Sequence, residues 1–532
     1  MMLRSTFSGF TTAQLAMQAS RAALDVAGQN IANINTNGYT RQRLDVVSLY
    51  NKNGNFYNTG RDAIVGFGVD VKGISQIRDP FLDVQYRNQI AKVGAADSKQ
   101  GALDQLSNIF DETTRDAIDH GLSDLEGKLR DLSNPTNVGN KVFDSMVRSS
   151  CQTLLDYFHQ NASQLQDVKK DLTTGLTDNV IPDINDILTE ITKLNESIKN
   201  SQVLGNPGLE LQDARNMMLD DLASYLPIDV KYTSETLAGN NKSEVLKVSF
   251  RDSSGTEHVL IDDTKHGSLS ADVKKQPLEL LITDTEGNTG DPLDPDHNVA
   301  SLLKSGSLKG TIDMVNESGL FSGDDSTGVG YYEKSFDGLV NAFAKTFNDL
   351  NSTPDLTEPI DPNAPRIQHP LFKTSDGSTT FTAANIQISD EWLSGVTRIT
   401  TATAENKGST NNDNVLNMIA AISQKRDFTG TETISGTSKD VVFFKGSFQE
   451  CYSNMNNVLA IDSKSNTTLL KNNITVINQV SNSRDSISSV SLDEEGMSLM
   501  HYQQSFTAAA RLMTTLDEAM DVLINKTGTV GR

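Results

Sequence analysis

The residue types suited to catalysis or metal binding are sparse in this chain, and their spacing argues against both. The seven histidines, His120, His159, His258, His266, His297, His369 and His501, are scattered. None pairs with a cysteine or carboxylate at a zinc-ligand spacing. Asp291, Asp294 and Asp296, in the Asp-, Gly- and Pro-rich stretch from Asp284 to Asp296, carry oxygens suited to calcium. They lack the regular ligand spacing of an EF-hand loop, and a solvated turn is the better reading. The acid pairs Asp324-Asp325 and Glu494-Glu495 have the chemistry of acid–base catalysis. Exposed loops and the first turns of helices account for such pairs more simply. No phosphate-cradling or nucleophile-elbow motif occurs. The two cysteines sit on apolar helical stripes: Phe143, Val147, Cys151, Leu154, Phe158 and Phe444, Phe448, Cys451, Met455, Val458. They read as free buried thiols that behave as small hydrophobes; the alternative is a bridge between them. The expectation is a protein with no catalytic residue, no cofactor and no metal.

What the chain does carry is the chemistry of helix association, at both ends. Phe10, Met17, Leu24 and Ile31 fall seven apart, with Ala13, Ser20, Ala27 and Ile34 three further on. Leu492, Leu499, Phe506, Met513 and Met520 repeat that spacing, with Tyr502, Ala509, Leu516 and Leu523 between them. A seven-residue apolar repeat makes one stripe on a helix and calls for a partner helix. Termini ordinarily fray unless something holds them, yet here they carry the strongest periodicity. The expected assembly interface is Phe10, Met17, Leu24, Ile31, Leu499, Tyr502, Phe506, Met513, Leu516, Met520 and Leu523.

At 532 residues the chain should form several domains. A hydrophobic fraction of 36% with Trp392 as the one tryptophan suits elongated, well-solvated modules with modest cores. The net charge of -23 argues against nucleic acid, whose phosphates need a basic face. Residues 1–80 nevertheless hold eight Lys/Arg against five Asp, and residues 485–532 hold seven acids against three bases. Opposite signs favour association of the two arms, although each exposed pair contributes little. No apolar run approaches a membrane span, and Met1 to Phe10 lacks the apolar core of a cleaved signal peptide.

The elements that must position these stripes follow from the pattern. One helix fills the first 35 residues and ends in Asn33 to Gly38, where Gly38 can take positive φ. An extended, irregular stretch with alternating Val65, Phe67, Val69 and Val71 leads to Pro80, which opens a helical region. Breaks are expected at Asn134-Pro135, before Pro182, at Gly205 to Gly208 and at Pro227. The period then turns alternating: Ile228, Val230, Tyr232; Leu246, Val248, Phe250; Leu278, Leu280, Ile282. This is an antiparallel β signature. Helical spacing returns at Phe336 and again from Val415, interrupted by a polar stretch near 429–440. Ser481 to Ser489 reads as a hinge before the last heptads. The expected fold class is mainly α with a β insert, in an elongated multidomain subunit. Its parts are a terminal coiled-coil assembly domain (1–80 with 485–532), a helical body (81–228 with 311–484, irregular and β-containing at 351–410) and an outer antiparallel β insert (229–310).

Asn30-Ile31-Ala32-Asn33-Ile34-Asn35-Thr36-Asn37-Gly38-Tyr39-Thr40-Arg41 resembles the N-terminal signature of bacterial flagellar rod, hook and hook-associated proteins. Its Asn30, Ile31, Ala32, Asn33, Thr36, Gly38 and Tyr39 carry that likeness. Leu132-Ser133-Asn134-Pro135-Thr136 and Leu211-Gln212-Asp213-Ala214-Arg215 resemble segments of the flagellar hook-associated protein 1 family, the first of two junction proteins between hook and filament. So does the tail, Ser491-Leu492-Asp493-Glu494-Glu495 followed by Tyr502-Gln503-Gln504-Ser505-Phe506-Thr507-Ala508-Ala509-Ala510-Arg511. Two departures stand out. Ala214 and Asn216 replace the frequent Gln and Asp, and Gly496 lies where the family's tail helix usually has no glycine.

The resemblance implies a structural, non-enzymatic flagellar subunit at the hook–filament junction. It implies export through the organelle's channel without a cleaved signal peptide, and terminal segments that order on assembly. The implied partners are further copies of itself, hook protein below, the second junction protein and filament flagellin above, and an export chaperone on the C-terminal helix. Nucleic acid and membrane insertion are not among them. Two alternatives remain: another axial part (hook or distal rod), and a flagellum-exported enzyme or adhesin carried on axial-type termini.

Overall fold

The computed structural model describes residues 6–49, 68–110, 112–236, 242–253, 255–273, 278–283, 285–286, 303–316, 327–354, 366–367, 369–403, 410–434 and 437–526. The alanine-rich start forms α1 (Thr6–Ala32), and the chain's last long helix, α12 (Leu492–Asp521), lies along it. Gly38 has φ 77, the left-handed turn that brings the chain out of α1. An antiparallel hairpin follows, β1 (Gln42–Ser48) with β2 (Val69–Gln76), bulged between Asp45 and Val46. Val69 and Val71 therefore belong to a regular strand, whereas Val65 and Phe67 lie outside the described residues.

The body begins at α2 (Pro80–Ile109). Asp79 caps it by accepting from the Phe81 N–H, and Pro80 occupies the first turn, where its missing donor costs nothing. α3 (Glu112–Ser133) stops at Asn134-Pro135, and α4 (Lys141–Gly175) starts from the Asn140 cap. Pro182 does not begin a separate helix. A π-turn over Leu176–Val180 carries α4 directly into α5 (Ile181–Val203). A wider turn at that point accommodates a residue that cannot donate, so the helical path bends without ending. After the Gly205–Gly208 turn, α6 (Leu209–Tyr225) stops one residue short of Leu226, which is extended as the residue before a proline must be.

The alternating segments form a four-stranded antiparallel sheet, β3 (Ile228–Thr236), β4 (Lys242–Arg251), β5 (Glu257–Asp262) and β6 (Lys265–His266), in that order. A separate pair joins β7 (Ser268–Asp272) to β8 (Glu279–Thr283). Leu246, Val248 and Phe250 point inward with Leu280 and Ile282, onto Ile184, Leu188 and Ile191 of α5 and Leu219 and Leu222 of α6. The chain returns through α7 (Ser307–Asn316), laid so closely on α2 that a Cβ at Gly310 would meet the Ala95 carbonyl at 2.4 Å. Only glycine permits that approach.

A larger core lies around α8 (Val329–Asn351). Phe158, Phe336, Phe343, Phe372, Trp392, Phe428, Phe448 and Tyr452 are buried there, several in edge-to-face pairs. Cys151 and Cys451 are both free and buried in this core, and burial pushes both thiols well above their ordinary pKa. Next come β9 (Thr353–Pro354) with β10 (Arg366–Ile367), β11 (Phe372–Thr374) with β12 (Ile386–Ile388), and the short α9 (Asp390–Leu393). Buried amides hold this irregular run. Asn348 Oδ1 accepts from the Leu371 and Phe372 N–H groups, Asn351 Oδ1 accepts from the Thr400 N–H, and Asp144 on α4 accepts from Trp392 Nε1 and the Ile399 N–H. The abundance of Asn thus supplies partners to backbone outside regular ladders.

α10 (Asp413–Ser423) leads into a hairpin, β13 (Arg426–Ile434) with β14 (Thr437–Gly446), where a polar interruption was expected. Its Thr-rich polar alternation hides the strand signal, and a bulge between Phe428 and Thr429 breaks the period. α11 (Phe448–Ser488) starts at a Ser447/Glu450 capping box. It runs through the expected hinge and breaks only after Ser488. Ser483, Ser486 and Ser488 donate back to Gln479, Ser483 and Arg484 carbonyls, which lets a serine-rich tract stay helical.

Candidate assembly surface and arm–body junction

Where α1 and α12 lie together, most of the buried side chains of α1 are small. Ala13, Ala19, Ser20, Ala23, Val26, Ala27 and Asn30 are buried on α1, and Ala509 and Glu495 on α12. The larger residues of the heptads, Phe10, Met17, Leu24, Ile31, Leu499, Tyr502, Met513, Leu516 and Met520, are half-buried, and Phe506 and Leu523 are exposed. Leu516 closes over Gly9, where a Cβ would meet its Cδ1 at 3.1 Å. The two stripes are therefore brought together, but the pair leaves much of its apolar surface uncovered. Met497, Met500, Leu512, Val522 and Ile524 extend that uncovered surface along α12. No described helix is long and apolar enough to cross a membrane.

The Asn30–Tyr39 motif builds the turn at the foot of α1. Asn30 imitates a neighbouring strand: its Nδ2 donates to the Gln42 carbonyl and its Oδ1 accepts from the Gln42 N–H, both at 2.9 Å. Tyr39 Oη donates to the same Oδ1 at 2.9 Å. Asn33 Nδ2 donates to the Gln29 carbonyl, and Thr36 Oγ1 donates to Asn33 Oδ1. Gly38 lies against Met217 of α6, whose Sδ would be 2.2 Å from a Cβ there. Ile31 is half-buried and Ala32 exposed, so these two contribute spacing rather than bonds. Burial, then the charges of Glu210, Asp213 and Glu495, pushes the Tyr39 hydroxyl up to about 12, which keeps it a neutral donor.

The residues just after the motif bring three distant segments to one place. Thr40 donates its N–H to Asp213 Oδ2 at 3.0 Å and its hydroxyl to Asp213 Oδ1 at 2.6 Å. Arg41 donates its N–H to the Ser488 carbonyl at 2.9 Å, at the end of α11. Its guanidinium spans Glu494 at 2.6 Å and Glu495 at 2.7 Å, in the first turn of α12. The acid pair thus serves the helix terminus and an arginine. Below it the network continues through the body. Arg78 and Arg484 share Asp83, Arg484 and Arg87 share Asp220, and Arg484 lies 4.8 Å over the Tyr86 ring. Arg87 reaches Asn216, which accepts from Tyr232 Oη of β3. Arg215 meets Asn195 and Glu244 of β4. Burial raises the Asp213 pKa, and the Thr40 bonds and Arg78 oppose that rise.

Asp213 and Arg215 are in a segment picked out from sequence only for its resemblance; their charge on a buried helix face was the available physical signal. Arg78, Arg87, Arg484 and Asp220 carry no local signal, because their partners lie far away in the chain. The Leu132–Thr136 segment stays apart from this junction and forms the α3–α4 turn, with Asn134 accepting from Thr136.

Two of the histidines serve structure. His159 Nε2 lies 2.8 Å from the Ile386 carbonyl, and His258 pairs with Asp252 and stacks on Phe250. Among the described residues no group of three or more metal-ligating side chains converges. Asp291, Asp294, Asp296, Asp324 and Asp325 lie outside the described residues.

Three family models match the chain: the flagellar hook-associated protein FlgK helical domain over residues 103–356, the flagellar basal body rod FlgEFG protein C-terminal over 482–526, and the flagella basal body rod protein over 10–40. Flagellar hook-associated protein 1 of Bacillus subtilis is 29% identical over 560 residues, covering 100% of each chain. Along its whole length the chain is similar to flagellar hook-associated protein 1. The Escherichia coli member is 23% identical over 96% of this chain and 98% of its own. The flagellar hook junction protein FlgK from Burkholderia pseudomallei shares the fold, with a TM-score of 0.51 and 12% identity over 76% of this chain and 100% of that one. The rod-type matches fall on the two paired terminal helices, and the hook-associated match falls on the helices and strands between them.

Proposed function

We infer that this chain is a structural subunit of the bacterial flagellum that connects hook to filament and assembles through its terminal helices. The observation that carries the reading is the paired arms: α1 and α12 close over small residues while Phe506, Met497, Met500, Leu512 and Leu523 remain exposed. Uncovered apolar surface of that kind marks an interaction site. Further copies of the same chain cover it, through a heterologous contact that need not close and so builds a helical layer. Hook protein lies below that layer, and the second junction protein and flagellin above it. The subunit leaves the cell through the flagellar channel, and a chaperone shields the C-terminal helix until then.

The division of labour follows three parts: arms (1–80 with 485–532), body (81–228 with 311–484) and outward β insert (229–310). Arms that order on assembly make the entropy of ordering part of the binding equilibrium. The decisive experiment is a deletion strain. Hooks should form, filaments should be absent, and flagellin should appear in the medium. Normal filaments in that strain would refute the reading. A hook or distal-rod role predicts instead that the purified chain polymerises alone into a long tube.

A further inference from the structure

The arms meet the body through a few polar side chains, and one of them is satisfied almost entirely by the arm. Asp213 is 5% exposed, and both of its carboxylate oxygens accept from Thr40. Its other polar neighbours are Arg78, at 3.7 Å, and the side chain of Gln76 on β2. The body side of this helix is already locked, because Asp220 holds Arg87 and Arg484 at 2.8 and 2.7 Å. Asp213 therefore stands on a preformed platform. The residue after Thr40 is Arg41, which grips both the end of α11 and the first turn of α12. Fixing Thr40 places Arg41 at the break between α11 and α12. Toward the tips the contact changes character: Leu516 lies over Gly9, and Val522, Leu523 and Ile524 are exposed.

We propose that Asp213 is the positioning residue of assembly: it captures Thr40 on the body, registers Arg41 over the α11–α12 break, and seeds ordering of the arms from the body outward. The tips are then completed last, by neighbouring copies. This rests on the reading of the terminal helices as the assembly surface.

Hydrogen exchange on the full-length monomer tests it. In the native chain, amides at the foot of the arms (residues 27–42 and 495–502) should be better protected than those at the tips (residues 11–20 and 506–521). Asp213→Asn and Thr40→Val should each lower protection at the foot by roughly 10- to 100-fold, because each removes a bond to a buried charge. Protection in α8 should not change. The double variant should lose no more than either single one, since both report one contact. Asp220→Asn, which touches the arginines but not the arm, should loosen α2 against α6 and leave the foot as in the native chain. Unchanged foot protection in either variant, or additive losses in the double variant, overturns the proposal. Thr40→Val carries the test alone if Asp213→Asn does not fold. Tips as well protected as the foot in the native monomer would instead remove the assembly-ordering reading, whatever the Asp213 variants do.

Discussion

Asp337 shows how much one side chain in the body core contributes to pH dependence. Burial raises its pKa from 3.8 to about 6; the Ala383 N–H, donated at 2.8 Å, opposes the rise and Glu333 adds to it. A carboxyl whose folded pKa is raised holds its proton more tightly when folded. Its contribution to stability is complete below about pH 4 and is lost as pH rises through about 6. The full loss is at most about 3 kcal/mol. Asp337→Asn should flatten the stability profile of the body between pH 4 and 6 and raise stability at pH 7. Denaturant unfolding at four pH values checks this, and parallel profiles for the two proteins would show that Asp337 does not titrate there. At the same scale, single amides decide where irregular chain can lie: Asn30, Asn348 and Asn351 each stand in for a missing strand or turn partner.

Among the elements, α12 is the one whose sequence argues against its own stability. Gly496 lies in its second turn, beside the buried Glu495, and a Cβ there would meet nothing within 4 Å. Replacing it with alanine carries no steric cost and should stabilise the helix by about 1 kcal/mol. Gly496→Ala should therefore raise amide protection around residues 495–502 about fivefold. If protection does not rise, the foot of α12 is already held by Arg41 beyond the reach of helix propensity. The neighbouring break after Ser488 shows the converse. Composition alone suggests a flexible joint over Ser481–Ser489, but serine back-bonding and the Arg484 pairs keep it helical. The turn is displaced to the residues that Arg41 bridges.

For the whole molecule, two aspartate substitutions separate pairing of the arms from assembly. Phe506 is on the exposed side of α12, whereas Leu516 packs over Gly9 of α1. Phe506→Asp should leave the α1–α12 pair and the body intact and abolish incorporation into the junction. Leu516→Asp should abolish incorporation and also part the arms. Thermal unfolding of the body should match the native chain in both, since its cores lie elsewhere. Complementation of a deletion strain, read as motility and filament number, gives the assembly result. Normal filaments with both variants would show that this helix face is not the contact.

Local pattern determined a good deal by itself. The terminal heptads, the α2 start at Asp79-Pro80, the α6 stop before Pro227 and the alternating strands around Val248 and Leu280 all follow from period, caps and proline stereochemistry, which act within a few residues. The Asn30–Tyr39 and Glu494-Glu495 segments marked themselves as special without revealing their partners. Only the tertiary structure decided that Thr40 meets Asp213, that Arg41 meets Glu494 and Glu495, and that Ala13, Ala23 and Ala27 rather than Phe10 or Met17 are the deeply buried side chains of α1. Hydrogen bonds and ion pairs between segments 173 or 454 residues apart leave no trace in local periodicity. Which face of a heptad turns inward depends on how closely two backbones can approach, and that is known only once they are packed together.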